Sequence, residues 1–182
     1  DKDNSISRFQ QLKPQFEKQD HILQELKQAE EMASNGYFPL AISIVEALCQ
    51  QNPNKTEYLK LLADYQQKNL SYKSSLHTYR RILQITPNEV TTLTNIAYNL
   101  IFLKRPEESK SYLLEAEEID SSNAHNLRNI GIYHAVNNNL KQAYKYFART
   151  IEIDGNTELV HYYYGIALLQ GGHKEKAIKQ LK

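Results

Sequence analysis

Tyr79-Arg-Arg-Ile-Leu-Gln-Ile-Thr-Pro-Asn88 closes on a Pro-Asn pair that has a twin, Pro53-Asn54, 34 residues earlier. Another step of 34 from Pro87 reaches Ser121-Ser122, and a further one reaches Gly155-Asn156. A fixed spacing of this size marks the repetition of one supersecondary unit. With position 1 placed at Ile22, Thr56, Val90, Ala124 and Glu158, position 32 collects Pro53, Pro87, Ser121 and Gly155.

The register passes an independent test. Position 8 reads Ala29, Ala63, Ala97, Gly131 and Gly165, and position 20 reads Ala41, Ser75, Ser109, Ala143 and Ala177. Ala, Gly and Ser make up 30 of the 182 residues, so ten small residues at ten sites would arise by chance on the order of once in 10⁸ placements. Bulky apolar residues keep the same phase: Leu59, Leu93 and Leu127 at position 4; Leu62, Ile96, Ile130 and Tyr164 at position 7; Val45, Tyr79, Leu113, Phe147 and Leu181 at position 24. Positions 4, 7, 8 and 11 share one face of a 3.6-residue helix, and positions 20, 24 and 27 share one face of another. Each unit is therefore two amphipathic helices. Turn signals separate them at Asn35-Gly36, Asn69, Asn137 to Asn139 and Gly171-Gly172, and Pro106 starts the second helix of the third unit.

The small positions have a steric purpose. Antiparallel helices approach closely only where the crossing side chains are short, and a bulky residue from the partner helix fills the hollow. Pro or Gly at position 32 then stops the second helix. A lone hairpin leaves one apolar side bare, so each unit must stack on the next.

This pattern resembles the tetratricopeptide repeat: small residues at 8 and 20, an aromatic or aliphatic at 24, Pro at 32 and a 34-residue period, with Tyr79–Asn88 and Tyr164-Gly-Ile-Ala-Leu168 near the family pattern. The resemblance implies an all-α right-handed solenoid of antiparallel helix pairs over residues 22–182, divided as 22–55, 56–89, 90–123, 124–157 and a partial 158–182. Departures from the pattern are the missing Trp at position 4, Glu25 and Gln28 where the first unit should be apolar, and Ser121 and Gly155 in place of Pro. The polar first unit suits a terminal repeat, with an apolar stripe of Leu23, Leu26, Ala29 and Ala33, and it is expected to pack least regularly. Residues 1–21 form a leader or capping helix, in which Ile6, Phe9, Leu12 and Phe16 are spaced for one apolar face and Pro14 interrupts or starts the helix.

Composition narrows the function. Twenty-two basic residues face 21 acidic ones, which disfavours a nucleic-acid or membrane-surface binder held by a broad basic face. No apolar run approaches the roughly 18 residues of a spanning helix, so the chain reads as soluble, with no membrane insertion. It starts at Asp1 and stops at position 25 of the fifth unit. Both ends read as cuts within a longer protein, leaving a processed extracytoplasmic form open beside the preferred cytoplasm. Six histidines and Cys49 make no HExxH or CxxC grouping, so no metal and no cofactor is expected. There is no phosphate-cradling glycine loop and no GxSxG elbow. The carboxylates around Glu107 to Asp120 read as a solvated face and Cys49 as a small core residue. The expectation is a protein without catalysis.

In proteins resembling this one, positions 2, 5, 6, 9 and 12 of each first helix line the concave side. Here these are Glu57, Lys60, Leu61, Asp64 and Gln67; Thr91, Thr94, Asn95, Tyr98 and Ile101; His125, Arg128, Asn129, Ile132 and Ala135; then Leu159, Tyr162, Tyr163, Ile166 and Leu169. Tyr98, Phe102, Ile132, Tyr162 and Ile166 form a candidate apolar patch for a partner, with Asn95, Arg128 and Asn129 beside it. Asn95 and Asn129 share position 6, which implies amides stacked along the groove to bind the backbone of an extended peptide, a short form of the asparagine ladder of serine-modifying glycosyltransferases. The family's carboxylate clamp for acidic chaperone tails is matched by Lys60 and Asn95 but not by Asp64, His125 or Asn129, so tight binding of such tails is not expected. The leading expectation is a scaffold or assembly factor that binds a peptide or partner protein. Alternatives are the recruitment domain of a larger enzyme such as a glycosyltransferase, and a class II type III secretion chaperone, which Ala33–Asn54 resembles. Bare terminal repeats also allow self-association.

Overall fold

A computed structural model describes the backbone of residues 2–182 and the side chains of residues 13–182. The described residues form α-helices joined by short turns: α1 (Lys2–Ser34), α2 (Phe38–Gln51), α3 (Thr56–Lys68), α4 (Tyr72–Ile85), α5 (Val90–Phe102), α6 (Pro106–Ile119), α7 (Ala124–Val136), α8 (Leu140–Asp154), α9 (Val160–Gln170) and α10 (Lys174–Leu181). The repeat register is visible in these boundaries. The helices α3, α5 and α7 start on position 1, and α2, α4, α6, α8 and α10 start on position 17. The chain divides into two compact units, residues 1–71 and 72–182.

The first unit holds α1, α2 and α3. Helix α1 runs unbroken through Pro14, where the expected interruption would have fallen; a proline there gives up one backbone hydrogen bond but does not end the helix. Ile6, Phe9 and Leu12 lie outside the described side chains, and Phe16 is exposed. Of the expected stripe, Ala29 is fully buried and Leu26 and Ala33 are half-buried, whereas Leu23 is exposed and Ile22 is turned inward instead. The stripe therefore holds at three of its four positions and shifts by one residue only at its start. Helix α2 buries Ala41, Val45, Leu48 and Cys49, and Phe38 packs against Tyr65 of α3 with ring centroids 6.5 Å apart.

The second unit holds α4 to α10, with α5, α7 and α9 side by side in one layer and α6, α8 and α10 packed on them. Its close crossings are built as the register requires. A Cβ added at Gly131 would stand 2.7 Å from the Phe147 ring, and one at Gly165 would stand 2.6 Å from Leu181. These pair position 8 with position 24 of the same unit. Opposite them Ser109, Ala143 and Ala177 are fully buried.

The turn between the helices of each unit is the same backbone device every time. Position 15 is left-handed at Gly36 (φ 80°), Leu70 (59°), Lys104 (61°), Asn138 (57°) and Gly172 (79°). In the third unit Lys104 N–H donates to the Ile101 carbonyl at 3.0 Å and Arg105 N–H to the Leu100 carbonyl at 2.9 Å, the double bond that closes a helix on an αL residue. Gly36, Asn138 and Gly172 carry sequence signals for this conformation. Leu70 and Lys104 do not, and the fold imposes it on them at a cost of about 1–2 kcal/mol each.

The fifth unit opens differently. With Gly155 in place of Pro, α8 continues to Asp154, and α9 starts only at Val160 after a left-handed Leu159 (φ 58°). The two residues lost from the start of α9 leave the Glu158 carbonyl pointing at α7, where Arg128 binds it.

Candidate functional site

All eight candidate residues lie in the second unit, on α5, α7 and α9. Position 9 of α5, position 5 of α7 and position 6 of α9 converge there. The Tyr98 and Tyr163 hydroxyls share a hydrogen bond of 3.0 Å, and the Arg128 guanidinium lies 5.5 Å from the centre of the Tyr98 ring, within range of a cation–π attraction. Tyr98 also packs against Phe102 at 4.4 Å and against Tyr72 of α4 at 6.2 Å, and Phe102 stacks on Tyr72 at 5.2 Å. Tyr162 meets the Tyr163 ring edge-on.

Burial sets the electrostatics of this cluster. Tyr98 is 9% exposed, and its phenol is pushed well above the ordinary tyrosine range by desolvation first and by the bond to Tyr163 second. Desolvation also raises Tyr163 and pulls Arg128 down from the usual arginine range. Both phenols therefore stay neutral at ordinary pH, while a guanidinium keeps its proton in proteins despite such a shift.

The two asparagines do not form an exposed ladder. Asn129 is fully buried. Its Nδ2 donates to the Thr94 carbonyl of α5 at 3.0 Å, and its Oδ1 accepts from Arg128 Nε at 3.1 Å and Nη2 at 3.0 Å. The amide is spent joining α5 to α7 and orienting Arg128 and so faces no ligand. Asn95 is half-buried. Of the clamp positions, Lys60 and Asp64 stand on α3 in the first unit, with Asp64 paired to Lys68 at 3.1 Å, while Asn95, His125 and Asn129 stand in the second.

A cleft of about 360 Å³ opens beside the cluster, lined by Ile101, Phe102, Ile132, Tyr163 and Ile166, with Lys104 and Gln170 among its polar residues. Of the candidates, Phe102, Ile132 and Ile166 line it, whereas Asn95, Tyr98, Arg128, Asn129 and Tyr162 do not. Gln170 donates to the Ala135 carbonyl and to Asn138 Oδ1, both at 3.4 Å. The exposed part of this face is on α9: Tyr162 is 51% exposed, Ile166 44% and Leu169 43%. Sequence reasoning placed Tyr163 among the groove positions but not in the candidate patch, and it missed Lys104 and Gln170, which follow the last groove position. Their signal is the position-15 turn, which turns the chain beside the cleft.

Among the described residues no group of three His, Cys, Asp or Glu side chains is placed to hold a metal ion. No helix among them is long and apolar enough to cross a membrane.

A family model described as "Tetratricopeptide repeat" matches residues 11–182. The chain belongs to the tetratricopeptide repeat family. Solved structures agree at the level of fold. TTC0263, a thermophilic TPR protein of Thermus thermophilus, has a TM-score of 0.76 at 18% identity, with 87% of each chain covered. PilW, described as a widely conserved type IV pilus biogenesis factor, gives 0.73 at 18% identity, covering 87% of this chain and 75% of PilW. YrrB, described as a TPR protein with an unusual peptide-binding site, gives 0.57 at 17% identity, covering 86% and 81%. No curated protein sequence matches the chain.

Proposed function

We propose that this tetratricopeptide repeat chain is a non-catalytic interaction module. Its α5, α7 and α9 face holds an extended segment of a partner protein, in the role of scaffold or assembly factor. The observation that carries this reading is the exposed apolar strip of Tyr162, Ile166 and Leu169 running beside the Phe102–Ile132 cleft. The same positions are covered on the preceding helices, where Thr94, Tyr98, Arg128 and Ile132 are buried, but stand open on α9, and a contiguous apolar surface of this kind marks an interaction site. The descriptions of YrrB as peptide-binding and of PilW as a biogenesis factor fit the same reading. Acidic chaperone tails are poor candidates, because the Asn129 amide, at a position where the clamp carries Arg, is engaged inside the stack.

The test is affinity purification with the intact chain and with a Tyr162→Ser, Ile166→Ser double variant. Both residues are exposed, so the variant is expected to keep the helical circular dichroism of the parent while losing the partners that the parent retains. Identical partner sets from two equally folded proteins would remove this face from consideration.

A further inference from the structure

Three first helices of the second unit, α5, α7 and α9, contain no Asp or Glu, and Arg128 is their only Lys or Arg. It is also the unusual residue of the site, a guanidinium only 6% exposed. A buried cation is ordinarily matched by a carboxylate, because desolvating an unmatched charge costs several kcal/mol. Among the described residues Arg128 makes no ion pair. Its acceptors are neutral: Asn129 Oδ1, taken by Nε and Nη2, and the Glu158 carbonyl, taken by Nη1 at 2.7 Å. A guanidinium has five N–H donors, so three bonds leave two unused.

A second observation lies at the same place. The Thr94 hydroxyl is buried without a hydrogen-bond partner, although the Thr94 carbonyl is tied through Asn129 to Arg128. Thr94 and Arg128 hold position 5 of neighbouring repeats. An idle donor and a buried cation that the Glu158 carboxylate attracts without pairing to it therefore belong to one hydrogen-bonded network, and a carboxylate at Arg128 would complete it.

We propose that Arg128 anchors the carboxylate side chain of an Asp or Glu within a bound partner segment, and that a nearby apolar side chain of that segment fills the cleft at Ile132. The inference rests on the reading of this face as the partner site. Ile132 follows Arg128 by one helical turn, about 6 Å along the axis, which an extended chain spans in two residues. Leu159, next to the Glu158 carbonyl that Arg128 holds, is exposed. Apolar side chains thus lie one turn along α7 from Arg128 and next in sequence to its carbonyl acceptor, and the occupant carries apolar residues before and after its acid. A charge-assisted bond from a planar fork to a carboxylate sets the register of such a segment.

The test uses the intact chain and three short peptides. The first is capped at both ends with Leu-Ser-Asp-Ser-Leu at its centre; the second is its Asn-for-Asp twin; the third has Ser for Asp and a free C-terminal carboxylate. Binding is followed by NMR titration of the Ile132 and Ile166 methyl groups. The Asp peptide is expected to shift both methyls and to bind about tenfold more tightly than its Asn twin. That advantage should shrink as sodium chloride rises from about 0.05 M to about 0.5 M. Equal affinities with both methyls shifted would overturn the carboxylate anchor while leaving the face as a partner site. Tighter binding of the third peptide would overturn it in favour of a chain end. Asp-dependent binding that leaves the two methyls unmoved, or no binding by any peptide, would overturn the anchor and count against the face as well. An Arg128→Gln variant that remains folded is expected to bind the Asp and Asn peptides alike.

Discussion

The two helix layers of the second unit spend their residues differently. Helix α5 buries nine of its 13 residues and α7 seven of 13, several of them polar, whereas α6 buries three of 14 and α8 three of 15. A helix in the α6, α8, α10 layer needs one small and one large residue to lock onto its partner and gives the rest to solvent. A helix in the other layer is packed by its own hairpin and by its neighbours, so its polar side chains bond within the stack, as Asn99 Nδ2 does to Ser75 Oγ at 2.9 Å and Asn126 Nδ2 to the Leu113 carbonyl at 3.0 Å. Burial in that layer falls to four of 11 residues at α9. The groove positions of α5, α7 and α9 have the same register, so the difference lies in what covers each helix.

The contrast can be broken most severely from the α8 side. Phe147 is fully buried against Gly131 and Tyr164, and Phe147→Ala is expected to cost about 3–5 kcal/mol in urea unfolding. A loss under 1 kcal/mol would show that the small-to-large crossing is not what joins the layers. Arg128→Met tests the polar interior of the other layer. It leaves Asn129 Oδ1 and the Glu158 carbonyl without their donors and should cost about 1–3 kcal/mol by the same measurement; an unchanged midpoint would mean that solvent replaces those bonds freely.

Tyr98 sharpens the comparison through pH. Its proton is held more tightly in the folded chain than in the unfolded one, so the associated stability is fully present below the unfolded tyrosine value near 10 and declines as the pH rises beyond it. Ultraviolet titration should show exposed tyrosines ionising first, with unfolding at higher alkalinity. Tyr98→Phe should weaken that alkaline loss, and an unaltered profile would place its cause elsewhere. At the turn, Lys104→Gly removes a left-handed non-glycine residue and is expected to gain about 1 kcal/mol, read as a raised unfolding midpoint. The same exchange at Lys110, within helix α6, should lose about as much. The smallest effect belongs to the exposed face, where Tyr162→Ser should stay within about 0.5 kcal/mol.

The fold was legible because its information is local and repeated. Small residues at positions 8 and 20 with bulk at 24 predict which side chains meet, and Gly131 with Phe147 meets that expectation. The candidate site was legible only in part. The apolar residues Phe102, Ile132 and Ile166 reach one cleft because helical periodicity places them there. Asn129 and Arg128 could not be placed by register alone, since the same positions point to solvent or to the stack depending on how far the neighbouring helix covers them.

From the order of residues alone follow the 34-residue unit, its two helices, their facing sides and the absence of catalytic motifs, because each depends on spacing within one unit. Three features emerged only in three dimensions: the left-handed turn forced on Leu70 and Lys104, the late start of α9 that turns a carbonyl toward Arg128, and the hydroxyl pair joining Tyr98 to Tyr163 across 65 positions. Those depend on how one unit settles against the next, and side-chain burial between units is a property of the packed stack.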